Sequence, residues 1–200
     1  LPRVSWGLGS REPEPAAVLG PATLAFDGRN TAVPPGAFLQ ASREGERAIV
    51  DAVLAALPAK LKGGIVELFA GCGTLSHALS GRGRVTAYEG DADAVAALRR
   101  AGNPKVTAIH RDLTRQPLQP AELKGAGGIV LDPPYAGAAA QMPALAASGV
   151  PIVYVSCNPG ALARDASTLA ASGYRAASVA AIDQFLWSAQ VEAVLGFIKP

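Results

Sequence analysis

Cysteine is nearly missing from this chain: Cys72 and Cys157 are the only two in 200 residues. Two thiols so far apart offer no zinc-ligand spacing and no disulfide framework, so neither a metal nor an iron-sulfur cluster is expected. A reducing, cytoplasmic home is the simplest expectation. No apolar run approaches the roughly 18 residues of a membrane span, so no membrane partner is expected either. Nor is one sign of charge in excess: 18 Lys and Arg against 16 Asp and Glu leave a formal net charge of +2. Such a balance neither demands nor excludes a nucleic-acid partner. The start, Leu1-Pro2-Arg3-Val4, carries neither an initiator Met nor the basic-then-apolar pattern of a signal peptide, and reads as a piece of something longer.

What is present is a hydrophobic half of the composition, mostly Ala, Val and Leu, which argues against disorder and for one sizeable core. Residues 1–36 are punctuated by Gly and Pro, with Arg11-Glu12-Pro13-Glu14-Pro15 as an exposed turn and Ala22–Phe26 as a short strand before Asp27-Gly28. They read as a small β appendage or the remnant of a missing N-terminal domain, and residues 37–200 as the main domain. From Ser42, a plausible N-cap, Ile49, Val53, Leu54 and Leu57 fall on one helical face, and Pro58 ends the helix.

Strands then alternate with helical patterns. Gly64–Phe69, Arg84–Glu89, Val106–His110, Gly128–Leu131 and the run ending at Ser156 read as strands; segments near residues 75–80, 92–101, 142 and 159–171 read as helices. Two closing strands, Ala176–Ile182 and Glu192–Ile198, have no helix between them. The pattern predicts an α/β fold built on βαβ units, with a mostly parallel seven-stranded sheet, an antiparallel edge strand and helices on both faces.

Ligands bind at the C-terminal lip of such sheets. Glu67 to Thr74 puts glycines where a strand turns into a helix, without the Gly-Lys-Ser/Thr of a P-loop. Glu89 ends the next strand, where an acid commonly accepts ribose hydroxyls. Asp112 and Asp132 end the next two, and Cys157, before Asn158-Pro159, ends the fifth. Each alone has a plainer reading: a helix cap, a solvated turn, a buried thiol.

Taken together, Glu67-Leu68-Phe69-Ala70-Gly71-Cys72-Gly73-Thr74, Glu89 and Asp132-Pro133-Pro134 resemble the S-adenosylmethionine-dependent methyltransferases of the Rossmann-like class. Ser156-Cys157-Asn158-Pro159 with Leu162-Ala163-Arg164-Asp165, and Ile182-Asp183-Gln184-Phe185 with Val191-Glu192, resemble the nucleophile and C-terminal motifs of the RNA uracil-C5-methyltransferase family. The resemblance runs from about residue 35 to the end. It implies a Rossmann-like enzyme that moves a methyl group from S-adenosyl-L-methionine to C5 of a uridine in rRNA or tRNA. It implies Cys157 as nucleophile and Glu192 as base. It further implies Gln40, Phe69, Gly71, Gly73, Thr74, Glu89, Asp112 and Asp132 around the cofactor. Uracil C5 is a poor nucleophile, so a thiolate added at C6 is needed to activate it, and a base must then remove the C5 proton.

Thr74, Tyr135 and Gln190 depart from the residues usual in the family, and its N-terminal oligonucleotide-binding barrel and cysteine cluster are not found here. RNA contacts would then fall to a missing segment, a partner, or basic residues such as Arg43, Arg47, Arg164 and Arg175. Asp132-Pro133-Pro134-Tyr135 also resembles the signature of amino-methyltransferases acting on adenine N6 or cytosine N4. A non-catalytic S-adenosylmethionine-binding domain is the reading from a different class.

Overall fold

The computed structural model describes residues 3–6 and 14–200. The turn expected at residues 11–15 lies outside the described residues in its first three positions; its last two open a strand. The chain begins with β1 (Arg3–Trp6) and β2 (Glu14–Val18), an antiparallel pair, and β3 (Thr23–Phe26) and β4 (Arg29–Ala32), a hairpin. The hairpin turns at Asp27-Gly28, both at positive φ. Phe26 and Val33 pack on Cys72, Ala94 and Ala97, which fastens this hairpin to the main body.

The main body continues with α1 (Arg43–Ala56), β5 (Gly64–Leu68), α2 (Thr74–Leu79), β6 (Val85–Glu89), α3 (Ala92–Arg100), β7 (Val106–His110), β8 (Ala126–Leu131), α4 (Met142–Ser148), β9 (Ile152–Ser156), α5 (Pro159–Ala171), β10 (Arg175–Ile182) and β11 (Glu192–Ile198). The caps are local and chemical. Ser42 Oγ accepts from Gly45 N at 2.9 Å, Asp91 caps α3, and Asn158, with Pro159 at the first helical position, caps α5.

Seven strands form one sheet in the order β10-β11-β9-β8-β5-β6-β7. β8 and β9 alternate strictly: Ile129, Leu131, Ile152 and Tyr154 face the α4/α5 side, while Val130, Val153 and Val155 face α1, α2 and α3. Helices therefore cover both faces. The expected antiparallel element is a pair at one edge. β10 is outermost, and β11, which runs against its neighbours, is inserted between β10 and β9. The chain steps outward from β5 through β6 to β7 and then returns to β8 on the other side of β5. That reversal opens a crevice at the lip between β5 and β8.

Candidate active site

β5 leaves the sheet through Phe69, a non-glycine residue at φ 62°, followed by Gly71 at 53° and Gly73 at 99°. A Cβ on Gly73 would lie 2.5 Å from Leu98 Cδ1, so only glycine lets the turn close on α3. Over Gly71 the space is open, with nothing within 4 Å of where a Cβ would stand. Glu89, at the tip of β6, accepts from Gly71 N at 2.7 Å and from Asp91 N at 2.8 Å. Two backbone amides thus aim this half-buried carboxylate across the turn and leave lone pairs free.

Behind the turn Glu67 is buried inside β5 and accepts from Ser76 Oγ at 2.5 Å. Burial pushes its carboxyl up to about 8, with Asp132 and Glu89 adding to the shift against the Ser76 bond. Asp132, past β8, is pushed up to about 7, first by burial and then by Glu192.

On the other side of the crevice β11 does the positioning. Its register pairs Ala193 with Ser156, Val194 with Val155 and Leu195 with Tyr154. Glu192 stands just before that ladder and Cys157 just after it, so both lie at the same end of the β9–β11 pair. Glu192 is buried, at 4% exposure, whereas Cys157 is half-buried. Burial raises both groups above their ordinary values, and Glu192 and Asp132 push the Cys157 thiol up further. A chain of amides joins the two carboxylates. Gln184 Nε2 donates to Glu192 Oε1 at 3.2 Å and to Gln40 Oε1 at 2.8 Å, and Gln40 Nε2 donates to Asp132 Oδ2 at 3.3 Å.

The loop from Asp132 to Ala138 is stitched to α5. Asn158 Nδ2 donates to the Tyr135 carbonyl at 2.8 Å, and Arg164 Nη2 to that of Ala136 at 3.0 Å. Asp165 Oδ2 accepts from Ala138 N at 2.8 Å and from the Tyr154 hydroxyl at 2.7 Å. Arg164, exposed as expected, also pairs with Asp165 and donates to this loop. Tyr135 itself is 62% exposed, and Phe38, Leu186 and Trp187 are bare on neighbouring lip loops, Trp187 completely so and at φ 67°.

The structure brings Cys157, Glu192, Asp132 and Gln40 together on one side of the crevice and Glu89, Gly71 and Gly73 on the other. Phe69 lies between, partly buried against the core. Thr74 opens α2. Asp112 is exposed and occupied locally, with Oδ1 accepting from Thr114 N and Arg115 N, each at 3.0 Å. Among the described residues, no cluster of three His, Cys, Asp or Glu could hold a metal, and no helix is long and apolar enough to cross a membrane.

Residues 107–199 match the profile of the tRNA (uracil-5-)-methyltransferase family. An uncharacterized RNA methyltransferase of Rhizobium meliloti is 50% identical over 175 residues, covering 84% of this chain and 42% of the relative. Over its C-terminal part the chain is similar to the RNA uracil-C5-methyltransferase family. A further relative, the 23S rRNA (uracil(1939)-C(5))-methyltransferase of Chromohalobacter salexigens, is 38% identical over 167 residues, covering 80% of this chain and 34% of that one. The chain thus spans less than half the length of these relatives. Among solved structures, the tRNA (uracil-54, C5)-methyltransferase of Pyrococcus abyssi, determined with S-adenosyl-L-homocysteine, superposes with a TM-score of 0.81 at 23% identity. That superposition covers 98% of this chain and 51% of the archaeal one, and at this identity the likeness shows the fold.

Three features of the site escaped sequence reasoning. Gln184 carried no role, although it is the bridge between Gln40 and Glu192. Asp165 stands in the nucleophile motif and Tyr154 within the strand run ending at Ser156, yet they fix the Asp132–Ala138 loop. Glu67 was read with the turn, though an acid flanked by Val66 and Leu68 inside an apolar strand is a sign of a buried carboxyl.

Proposed function

We propose that this chain is the catalytic part of an S-adenosylmethionine-dependent RNA (uracil-5-)-methyltransferase that works through a covalent adduct on Cys157. The observation that carries the reading is that the β9–β11 pairing sets Cys157 and Glu192 at the same end of the lip, with Glu192 joined to Asp132 through the amides of Gln184 and Gln40.

The residues present fit the cofactor. The open space over Gly71 admits a ligand close to the backbone, and Glu89, already aimed by two amides, retains acceptor sites suited to a ribose diol. Asp132, Gln40 and Phe69 would complete its holding. When bound, S-adenosyl-L-methionine supplies an electrophilic methyl group.

Cys157 Sγ adds to uracil C6, forming the C–S bond and moving the ring electrons toward C5 and O4, which makes C5 nucleophilic. Once C5 carries its methyl group, Glu192 takes the C5 proton. The electron pair released re-forms the ring double bond and expels Cys157 as thiolate. Attack requires the thiolate, and two nearby carboxylates disfavour it, so adduct formation should quicken as pH rises. The exposed rings of Tyr135 and Trp187 on the lip suit stacking of single-stranded bases.

The test uses RNA containing 5-fluorouridine, in which the proton-removal step is blocked, together with labelled cofactor. A denaturation-resistant protein–RNA adduct should form and should vanish in Cys157→Ala. No adduct, where cofactor and RNA demonstrably bind, refutes the reading; label on an adenine or cytosine amino group would replace it with amino-methyl transfer. Running the same assay on rRNA and tRNA separates the two substrate classes.

A further inference from the structure

Gln184 is 8% exposed, and both hydrogens of its amide nitrogen are used, one on Gln40 Oε1 and one on Glu192 Oε1. Its own Oε1 is buried with no partner. Leaving an acceptor unpaired carries a cost, so packing alone does not select this orientation. Exchanging the amide oxygen and nitrogen would set an acceptor against the Gln40 oxygen and the Glu192 carboxylate together. The observed orientation presents a donor to both of those oxygens.

The seat for this side chain is built into α1. A Cβ on Gly45 would stand 2.5 Å from Gln184 Oε1 and 2.7 Å from Gln184 Cβ. The second distance is to the root of the side chain, so a methyl group there displaces the whole residue. A glycine inside the first turn of a helix weakens that helix, which makes it a costly choice unless the space is needed.

We infer that Gln184, seated over Gly45, is a positioning residue that holds Glu192 for proton removal and ties it to the Gln40–Asp132 pair across the crevice. This rests on the reading of Glu192 as the base. Gln184 acts on the elimination half of the cycle and leaves the addition of Cys157 untouched. The bond from Gln184 also opposes the upward push of burial on Glu192. Other groups bearing on Glu192 are Cys157 and Asp132 at the ends of β9 and β8, while Arg43 and Glu46 of α1 line the cleft beside Gln40. All of them persist when Gln184 is replaced by an apolar side chain of similar length.

Two variants of the protein test this, Gln184→Met and Gly45→Ala, the second leaving Gln184 intact and favouring the helix. With uridine RNA, both should lower kcat about tenfold with KM within about twofold. Both should move the acid limb of the kcat profile to higher pH and accumulate methylated covalent intermediate. With 5-fluorouridine RNA, where the proton-removal step is blocked, both should form the adduct at the unsubstituted rate. Unchanged turnover and pH profile in Gly45→Ala overturn the inference even if Gln184→Met fails to fold. Parallel loss of turnover and of the 5-fluorouridine adduct overturns it as well, because the residue would then act before elimination. Absence of the adduct in the unsubstituted protein would instead overturn the parent reading, and this inference with it.

Discussion

Replacing Tyr154 by Phe removes a single oxygen from the middle of the sheet, and the structure fixes what that should cost. Tyr154 is fully buried in β9; its hydroxyl donates to Asp165 Oδ2 at 2.7 Å and lies 3.1 Å from Ala138 N. Burial and Asp165 both raise its pKa, so it stays a donor at any working pH. In Tyr154→Phe the Ala138 amide keeps Asp165 as partner, so no group is orphaned and the loss is one hydrogen bond to a carboxylate. That is about 2 kcal/mol, which for a chain of this length lowers Tm by roughly 4–8 °C.

Asp165→Ala is the contrasting case. It takes the acceptor from the Tyr154 hydroxyl, leaves the Ala138 amide only the Tyr154 oxygen at 3.1 Å, strands one side of Arg164, and should cost about 3–5 kcal/mol. Urea unfolding followed by circular dichroism measures both. In an Asp165→Asn background the Tyr154→Phe cost should shrink by about 1 kcal/mol, since the charged acceptor has gone. A Tyr154→Phe cost below about 0.5 kcal/mol, unchanged in that background, would show that the Asp132–Ala138 loop is held by packing and not by this cluster.

The buried acids give a pH signature. Glu67 holds its proton up to about 8 in the folded chain and should release it near the ordinary 4.5 when unfolded, so stability falls as pH rises through that window. Glu67→Gln keeps the Ser76 bond and should flatten the decline in Tm between about pH 5 and about pH 9; an unaltered slope would mean Glu67 ionises normally. At the glycine turn, Gly73→Ala should cost about 2–4 kcal/mol, because strain at φ 99° adds to the collision with Leu98. Gly71→Ala, strained but unobstructed, should cost about 1 kcal/mol, and equal costs for the two would refute the packing reason.

The central strands were legible because each is a short apolar run with its own caps and turns. β5 to β9 fall where periodicity puts them, and the lip residues Glu89, Asp132 and Cys157 follow because a strand end is a local pattern. The N-terminal strands were not, beyond β3: β1 and β2 are four or five residues long and mostly exposed, and β4, Arg29-Asn30-Thr31-Ala32, is polar at three of its four positions. At the other end, β10 and β11 look alike in sequence, yet most of β10 is exposed and β11 is half buried. Which strand enters the sheet is decided by long-range pairing with β9, and periodicity carries no record of that. The amide bridge is hidden for the same reason: Gln40 and Gln184 lie 144 residues apart and meet only because the first turn of α1 packs, at Gly45, on the connection between β10 and β11.

The crevice also gathers several acids that are bonded by neutral partners. Glu67, Asp132 and Glu192 all sit above their ordinary carboxylate range, burial being the first cause in each. Asp132 is raised further by Glu192, and Glu67 by Asp132, so the charges oppose one another across the gap. Among these acids, neutral donors alone satisfy the carboxylates: Ser76 on Glu67, Gln40 on Asp132, Gln184 on Glu192. Amides and hydroxyls offset desolvation without bringing a counter-charge to these acids. A ligand carrying a sulfonium and an ammonium, as the proposed cofactor does, would relieve that repulsion and draw the carboxylates toward ionisation.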